Sequence, residues 1–594
     1  MAVSYVNDHG RETTVPDQTL AAILDVLHDA PPPGGALAGA ARPVAPPVAP
    51  VPSGRSWGFA VQLYSVRSRG SWGHGDLRDL AEFATWAARD LGADFVLINP
   101  LHAAEPLPPI SDSPYLPMSR RFISPLYLRL EDIEEFEVLD PSERAAVTAL
   151  GQPLRAASRT PALIDRDAVW TAKRAALEKI RRVPLRASRR ASLDAFRRGK
   201  GKALQDWATW CAIAERHGPD YRAWPPRLQH AHSAEVTALR AELAGRADFH
   251  VWVQWLVAEQ AATAQRAARA AGMRIGVLHD LAVGAHPGGA DAWAGHDVFV
   301  RGVSVGAPPD AFNQNGQNWS LPPWHPGHLA AQDYRPLADL IAGAAQDAGG
   351  LRIDHAMGLS RLWWIPEGMP PAAGAYVRYD HGATLGALAS EAARAGTIAI
   401  GEDLGTVEPW LRDALKTSGV LGTSLLWFES GADGAPLPPS RWRRNSLATV
   451  ATHDMPPAAA FLTGEQVTER ARLGLLGRSA AAERADSDKL VAGWLAALAG
   501  EGLIRAGDEP DPAAFTVALY AYLARTPALL LGVSLAEAAG ERRAQNMPGT
   551  LAEYPNWRLP LCGPDGAPIL LEDLPARATL RAVASAAAGG PAVG

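Results

Sequence analysis

Gly350-Leu-Arg-Ile-Asp354-His355, Ile398-Ala-Ile-Gly-Glu402-Asp403-Leu404 and Leu447-Ala-Thr-Val-Ala-Thr-His453-Asp454 are three apolar runs, each closing on a carboxylate. Runs of this kind read as buried parallel strands, apolar on both faces because helices cover both sides of the sheet. Each strand hands its acid to the loop that follows. Their expected spans are Leu351–His355, Thr397–Asp403 and Leu447–Asp454. Working outward, further strand-like runs occur at Phe59–Val66, Asp94–Pro100, Arg274–Leu281, Gly422–Phe428 and Ala528–Leu535. Helical stretches separate most of them: Asp76–Leu91, about 250–271, Pro336–Ala348, Ala383–Ala395 and Pro409–Ser418. Alternating strands and helices predict parallel βαβ units, and eight of them predict a closed (β/α)8 TIM barrel, an α/β fold. In such a barrel all strand ends open on one face, where the three acids converge.

The chain has 594 residues, more than a typical single domain but within reach of a barrel with insertions. Residues 1–30 read as a small N-terminal segment with an amphipathic helix at Leu20–His28, and 31–56 as a linker rich in Pro, Ala and Gly. The barrel is expected over 57–594, with a helix-rich insertion at about 105–248 and a polar, loop-like one at 283–334. Basic clusters at Lys173–Arg182 and Arg186–Lys200 are expected to be a charged helical surface. A formal charge of −6 argues against nucleic acid as a partner. Two distant cysteines, Cys211 and Cys562, exclude a disulfide framework and suit a reducing compartment. The start Met1-Ala-Val-Ser-Tyr-Val-Asn-Asp lacks the pattern of a signal peptide, and no apolar run has membrane-spanning length. A cytoplasmic protein, a monomer or homodimer that does not bind membranes, is the expectation.

Chemistry follows from the strand ends. Arg352 and Asp354, two apart on a strand, point to one side, so the guanidinium is expected to keep Asp354 ionised, as a nucleophile needs. Glu402 ends a mostly apolar strand, and burial is expected to raise its pKa, as a proton donor needs. His453 beside Asp454 offers a donor for a substrate hydroxyl. Any one of these pairs is a common capping or ion-pair feature. Their order, their placement after separate strands and the nearly equal gaps between them point instead to glycosidic bond chemistry. The loop Gly306-Ala-Pro-Pro-Asp310 leading to Gln317-Asn318-Trp319 would overhang that face and suits hydroxyl recognition and ring stacking. Nineteen tryptophans against 12 Phe and 11 Tyr fit glycan binding, although most are expected in the core.

These motifs resemble those of the α-amylase clan and, more narrowly, the 4-α-glucanotransferases known as amylomaltases or disproportionating enzymes. The resemblance covers about 57–560. It rests on Ser113-Pro-Tyr115 with Ser119, Gly306 to Asp310, Gly316 to Trp319, Arg352-Ile-Asp354-His355 and Gly401 to Gly405. It continues through Thr452-His453-Asp454, Gln545-Asn-Met-Pro-Gly549-Thr550 and Pro555-Asn-Trp557-Arg558. It implies Asp354 as nucleophile, Glu402 as general acid/base and Asp454 as transition-state stabiliser. It also implies glucan contacts at Tyr115, Asp280, Asp310, Gln317, Trp319, Arg352, His355 and His453. It further implies a barrel with no C-terminal β-sandwich, no metal or organic cofactor, and transfer of an α-1,4-glucan segment to glucose or another glucan. The chain departs from the family at Gly401, where Ala is frequent, and at Met455-Pro456-Pro457, where the family often has Asn after His-Asp. An α-glucan hydrolase with the same carboxylates and a glucan-binding protein without turnover are the competing readings.

Overall fold

The computed structural model describes residues 2–6, 11–28, 47–309, 315–405 and 407–589. Eight parallel strands close into a barrel. They are β1 (Ser56–Val61), β2 (Phe95–Ile98), β3 (Gly276–Leu281), β4 (Gly350–Ile353), β5 (Ile398–Gly401), β6 (Val420–Leu425), β7 (Ser446–Thr449) and β8 (Leu530–Ser534). β8 pairs with β1, which completes the circle. Helices α1 (Leu77–Leu91), α2 (Ala244–Ala270), α3 (Arg335–Ala345), α4 (His381–Ala395), α5 (Pro409–Thr417), α6 (Pro512–Leu523) and α7 (Ala578–Ala587) belong to the outer ring. Only 3-10 turns, Leu426–Phe428 and Pro439–Arg441, span β6 to β7. Among the described residues no strand follows β8.

The eight expected strands are all present, but those bearing acids end earlier, at Ile353, Gly401 and Thr449. The period of two explains what each delivers. Phe95, Leu278, Ile398, Ile400, Leu421 and Leu447 fill the lower barrel. Two residues further up, the same inward columns bring Asp280 above Leu278 on β3, Glu402 above Ile400 and Thr423 above Leu421. On β4 the column is Gly350, Arg352, Asp354. A Cβ at Gly350 would lie 2.5 Å from Ile398 Cγ1 and 2.6 Å from Leu278 Cδ2, so glycine is what lets the apolar plug close beneath Arg352.

Residues 283–334, loop-like in sequence, instead contribute two strands, Val303–Ala307 and Gln317–Leu321. They join Arg361–Pro366 and Ala375–Arg378, from the β4–α4 connection, in a four-stranded antiparallel sheet. Tertiary pairing makes these short polar strands, so their own periodicity was a weak guide. The N-terminal helix Asp17–His28 docks on this sheet through Ile23, within a cluster containing Val303, Val305, Leu321 and Trp364.

In the insertion at 105–248 most residues of the basic clusters are exposed or half-buried, and several form ion pairs. Lys173 is buried and donates to the carbonyls of Leu126 and Leu128, at 2.5 and 2.8 Å. Burial lowers its pKa to about 8. Arg189 pairs with Glu135 and Glu259, and Arg246 with Glu215. Arg182, Arg186, Arg190 and Arg198 are exposed, so the helices present a charged surface with Lys173 as its buried exception. Among the described residues no helix is long and apolar enough to cross a membrane.

Candidate active site

The barrel ladder continues one step past β4 and β5. Asp354 N–H donates to Leu281 O (3.0 Å), Glu402 N–H to Ile353 O (2.9 Å) and Ala356 N–H to Glu402 O (2.8 Å). Asp354 and Glu402 are thereby held on adjacent strand ends. Between them the chain turns at His355, which takes the left-handed conformation (φ 47°). That conformation is costly for a non-glycine residue and is maintained here by the surrounding ladder. It aims the His355 amide at Glu402 Oε2 (3.1 Å), while the Leu404 amide donates to Oε1 (2.7 Å).

Arg352 sits at the centre of the second group. Its Nη1 donates to both oxygens of Asp280 (2.7 and 2.9 Å) and to Asp354 Oδ1 (3.0 Å). Tyr115 donates its hydroxyl proton to Asp280 Oδ2 at 2.7 Å. The same hydroxyl oxygen lies 3.4 Å from His453 Nδ1, and the two rings stack at 4.8 Å. His453 Nε2 lies 3.3 Å from Asp454 Oδ2. Since the only Tyr115 proton goes to Asp280, His453 is the donor on both sides, which is imidazolium geometry. Asn546 donates to the other oxygen of Asp454 at 2.7 Å.

These surroundings drive the three carboxyls apart. Burial raises Glu402 to about 7, only partly opposed by Arg352. Burial also raises Asp354, to about 6, with Arg352 opposing and Asp280 reinforcing. Arg352 was expected to hold Asp354 low. It fails to do so because Asp280 takes two of its contacts, and because an apolar cavity lined by Leu281, Leu340, Ile353 and Leu359 borders Asp354. Asp454, whose side chain is 48% exposed, goes the other way. Desolvation in the cleft works to raise it, but His453 and Asn546 outweigh that and bring it down to about 2. Burial works against a charged His453, yet Asp454 leaves its pKa raised.

Of the residues singled out in sequence, Tyr115, Asp280, Arg352, Asp354, His453 and Asp454 form one hydrogen-bonded network. Glu402 and His355 adjoin it through the backbone. Trp319 meets the His355 ring edge-on at 5.0 Å, and its Nε1 donates to Gln317 Oε1 at 3.2 Å. Asp310 lies outside the described residues. Two residues went unassigned in sequence. Asn546 holds Asp454, and Trp557 packs against Tyr115 (5.2 Å) and His453 (5.3 Å) from a left-handed backbone, φ 62°. Both lie in the Gln545–Arg558 stretch after β8, and their placement beside the loop that follows β7 depends on barrel closure. Among the described residues no group of His, Cys, Asp or Glu has the arrangement of a metal site.

A (β/α)8 barrel carrying three ionisably distinct carboxyls on its catalytic face defines the class. A family model described as 4-alpha-glucanotransferase matches residues 61–563. A 4-alpha-glucanotransferase of Mycobacterium tuberculosis is 54% identical over 530 residues, which cover 88% of this chain and 73% of that one. The crystal structure of amylomaltase from Corynebacterium glutamicum superposes with a TM-score of 0.88 at 36% identity, covering 99% of this chain and 98% of the other. Amylomaltase from Streptococcus agalactiae in complex with acarbose shares the fold, with a TM-score of 0.71 at 18% identity over 90% of this chain and 100% of its own. The chain belongs to the 4-alpha-glucanotransferase family.

Proposed function

We propose that the enzyme moves a segment of an α-1,4-glucan to the 4-hydroxyl of glucose or another α-1,4-glucan, by double displacement at Asp354. The observation that carries this reading is the placement of Asp354 and Glu402 on adjacent strand ends, with Arg352 bonded to Asp354 and burial raising Glu402 to about 7. Near neutral pH the first is mostly ionised while a substantial share of the second keeps its proton. Asp354 attacks the anomeric carbon as the C1–O4 bond breaks, and Glu402 gives its proton to the departing oxygen. The leaving glucan keeps the original reducing end, and the rest stays as a glucosyl ester of Asp354. Glu402, now a base, takes the proton of the acceptor 4-hydroxyl, which attacks C1 and releases Asp354. Two inversions give net retention.

Asp454, held anionic, faces the positive charge that develops on the sugar ring. Arg352 and Asp280 position the nucleophile, and Tyr115, His453, His355, Gln317, Trp319 and Asp310 contribute the glucan contacts. A time course with maltotriose alone tests the reading. Glucose together with maltopentaose and longer products, without net gain of reducing ends, is expected. Glucose and maltose alone, with reducing ends rising, mean that water is the acceptor and the enzyme is a hydrolase.

A further inference from the structure

Of the tryptophans, Trp410 alone is exposed, over 44% of its surface. It is the second residue of α5, whose inward positions are Leu411 and Leu415, so packing of that helix does not depend on the indole. Each barrel helix begins at the end where its strand finishes. The start of α5 therefore lies on the catalytic face, shortly after Glu402. α4 begins on the same face, and its first residue, His381, places its ring 4.8 Å from that of Trp410. Ion pairs tie this corner to the site: Glu408 to Arg361 at 3.4 Å, and Arg412 to Asp403, the residue after Glu402, at 3.7 Å. The result is an indole supported by an imidazole and flanked by Glu408, Arg412 and Asp413, with much of its surface in water.

Leaving that much apolar surface hydrated is unfavourable unless something covers it. An aromatic face bordered by charged hydrogen-bonding groups suits a pyranose ring, which has an apolar CH face and an equatorial rim of hydroxyls. We propose that Trp410 over His381 is a second glucan-binding ledge, on the rim of the catalytic face and apart from the carboxylate cleft. It takes one or a few glucose units of a long α-1,4-glucan and so favours long chains over maltotriose. The choice of an α-glucan as occupant rests on the proposed transfer activity.

Trp410→Ala and Trp410→Phe in the full chain, assayed on maltotriose and on amylose, test the ledge. Alanine is expected to raise KM for amylose about three- to tenfold, the effect of losing one aromatic face, with kcat kept. Both constants for maltotriose stay unchanged, and phenylalanine restores most of the amylose KM. An unchanged amylose KM overturns the proposal, and so does an equal loss on both substrates, which marks a structural role. Retardation of Asp354→Asn in native gels containing soluble amylose separates this claim from the catalytic one. If adding Trp410→Ala weakens that retardation, the ledge stands even where wild-type protein fails to disproportionate maltotriose. If retardation persists undiminished, the ledge fails whatever the enzyme's reaction.

Discussion

Asp354 and Glu402 need opposite protonation states for the first step, so their environments set the pH profile. Asp354 must be ionised, and activity is lost as pH falls through about 6; Glu402 must be protonated, and activity is lost as pH rises through about 7. A narrow bell in kcat/KM is expected, and Glu402→Gln abolishes its alkaline limb. That variant should lose about 10²- to 10⁴-fold on maltooligosaccharides but recover turnover on a glucosyl donor whose leaving group needs no proton. Equal loss on both donors would remove Glu402 as the acid. Asp354→Asn should lower turnover by at least about a thousandfold. Its stability moves the other way. Because the folded pKa of Asp354 lies above its unfolded value, the site is most favourable at low pH, and stability declines as pH rises from about 4 through about 6. Asp280 remains to pair Arg352, so Asp354→Asn is expected to melt higher than wild type at pH 8, with the gain disappearing by pH 4. A lower Tm at pH 8 would contradict this account of the burial cost.

Among the elements, the loop after β7 is latched at its far end by Glu537. Pro456 and Pro457 have no N–H, and Ala458 supplies the first amide after them, donating to Glu537 Oε1 at 2.8 Å. Tyr520 donates to the other oxygen at 2.6 Å and accepts from the Ser534 amide at 3.0 Å. Glu537 thus joins the loop bearing Asp454 to the end of β8 and to α6. Replacing it with alanine leaves a buried amide and a buried hydroxyl without their acceptor, a cost of about 1–3 kcal/mol each. Glu537→Ala is expected to lower Tm by several degrees and kcat more than KM. Glu537→Gln keeps the acceptor for Ala458 but sets an NH2 against the donating Tyr520 hydroxyl, and should restore only part of both. Failure of glutamine to rescue would mean that the charge, not the geometry, holds the loop.

At the scale of the whole molecule, the N-terminal helix buttresses a sheet that reaches the site. Ile23 is fully buried against that sheet, whose strand Gln317–Leu321 carries Trp319 to His355. Thr19 adds a bond to the Ala373 carbonyl at 2.9 Å. Ile23→Ala should cost about 2–4 kcal/mol locally. If the sheet holds Trp319 in place, KM for maltotriose rises while kcat changes little. An unchanged KM with a lower Tm would confine the helix to a stabilising role.

What could be read along the chain was whatever a strand encodes locally. Apolar runs, their acids at the ends and the period of two were enough to expect eight barrel strands and to single out Asp354, Glu402 and Asp454, because side-chain alternation is a local property. The order of the acids and the matching motifs supplied the family. Tertiary structure decided the rest, because those features are relations between distant segments. Only folding divides Arg352 between Asp280 and Asp354, and so leaves Asp354 raised despite an adjacent guanidinium. Folding also brings Asn546 and Trp557 from beyond β8 to the loop after β7 and to Tyr115 of the first insertion, and turns a polar loop into half of a sheet. Electrostatics follows burial and distance in space, and neither can be read from separation along the chain.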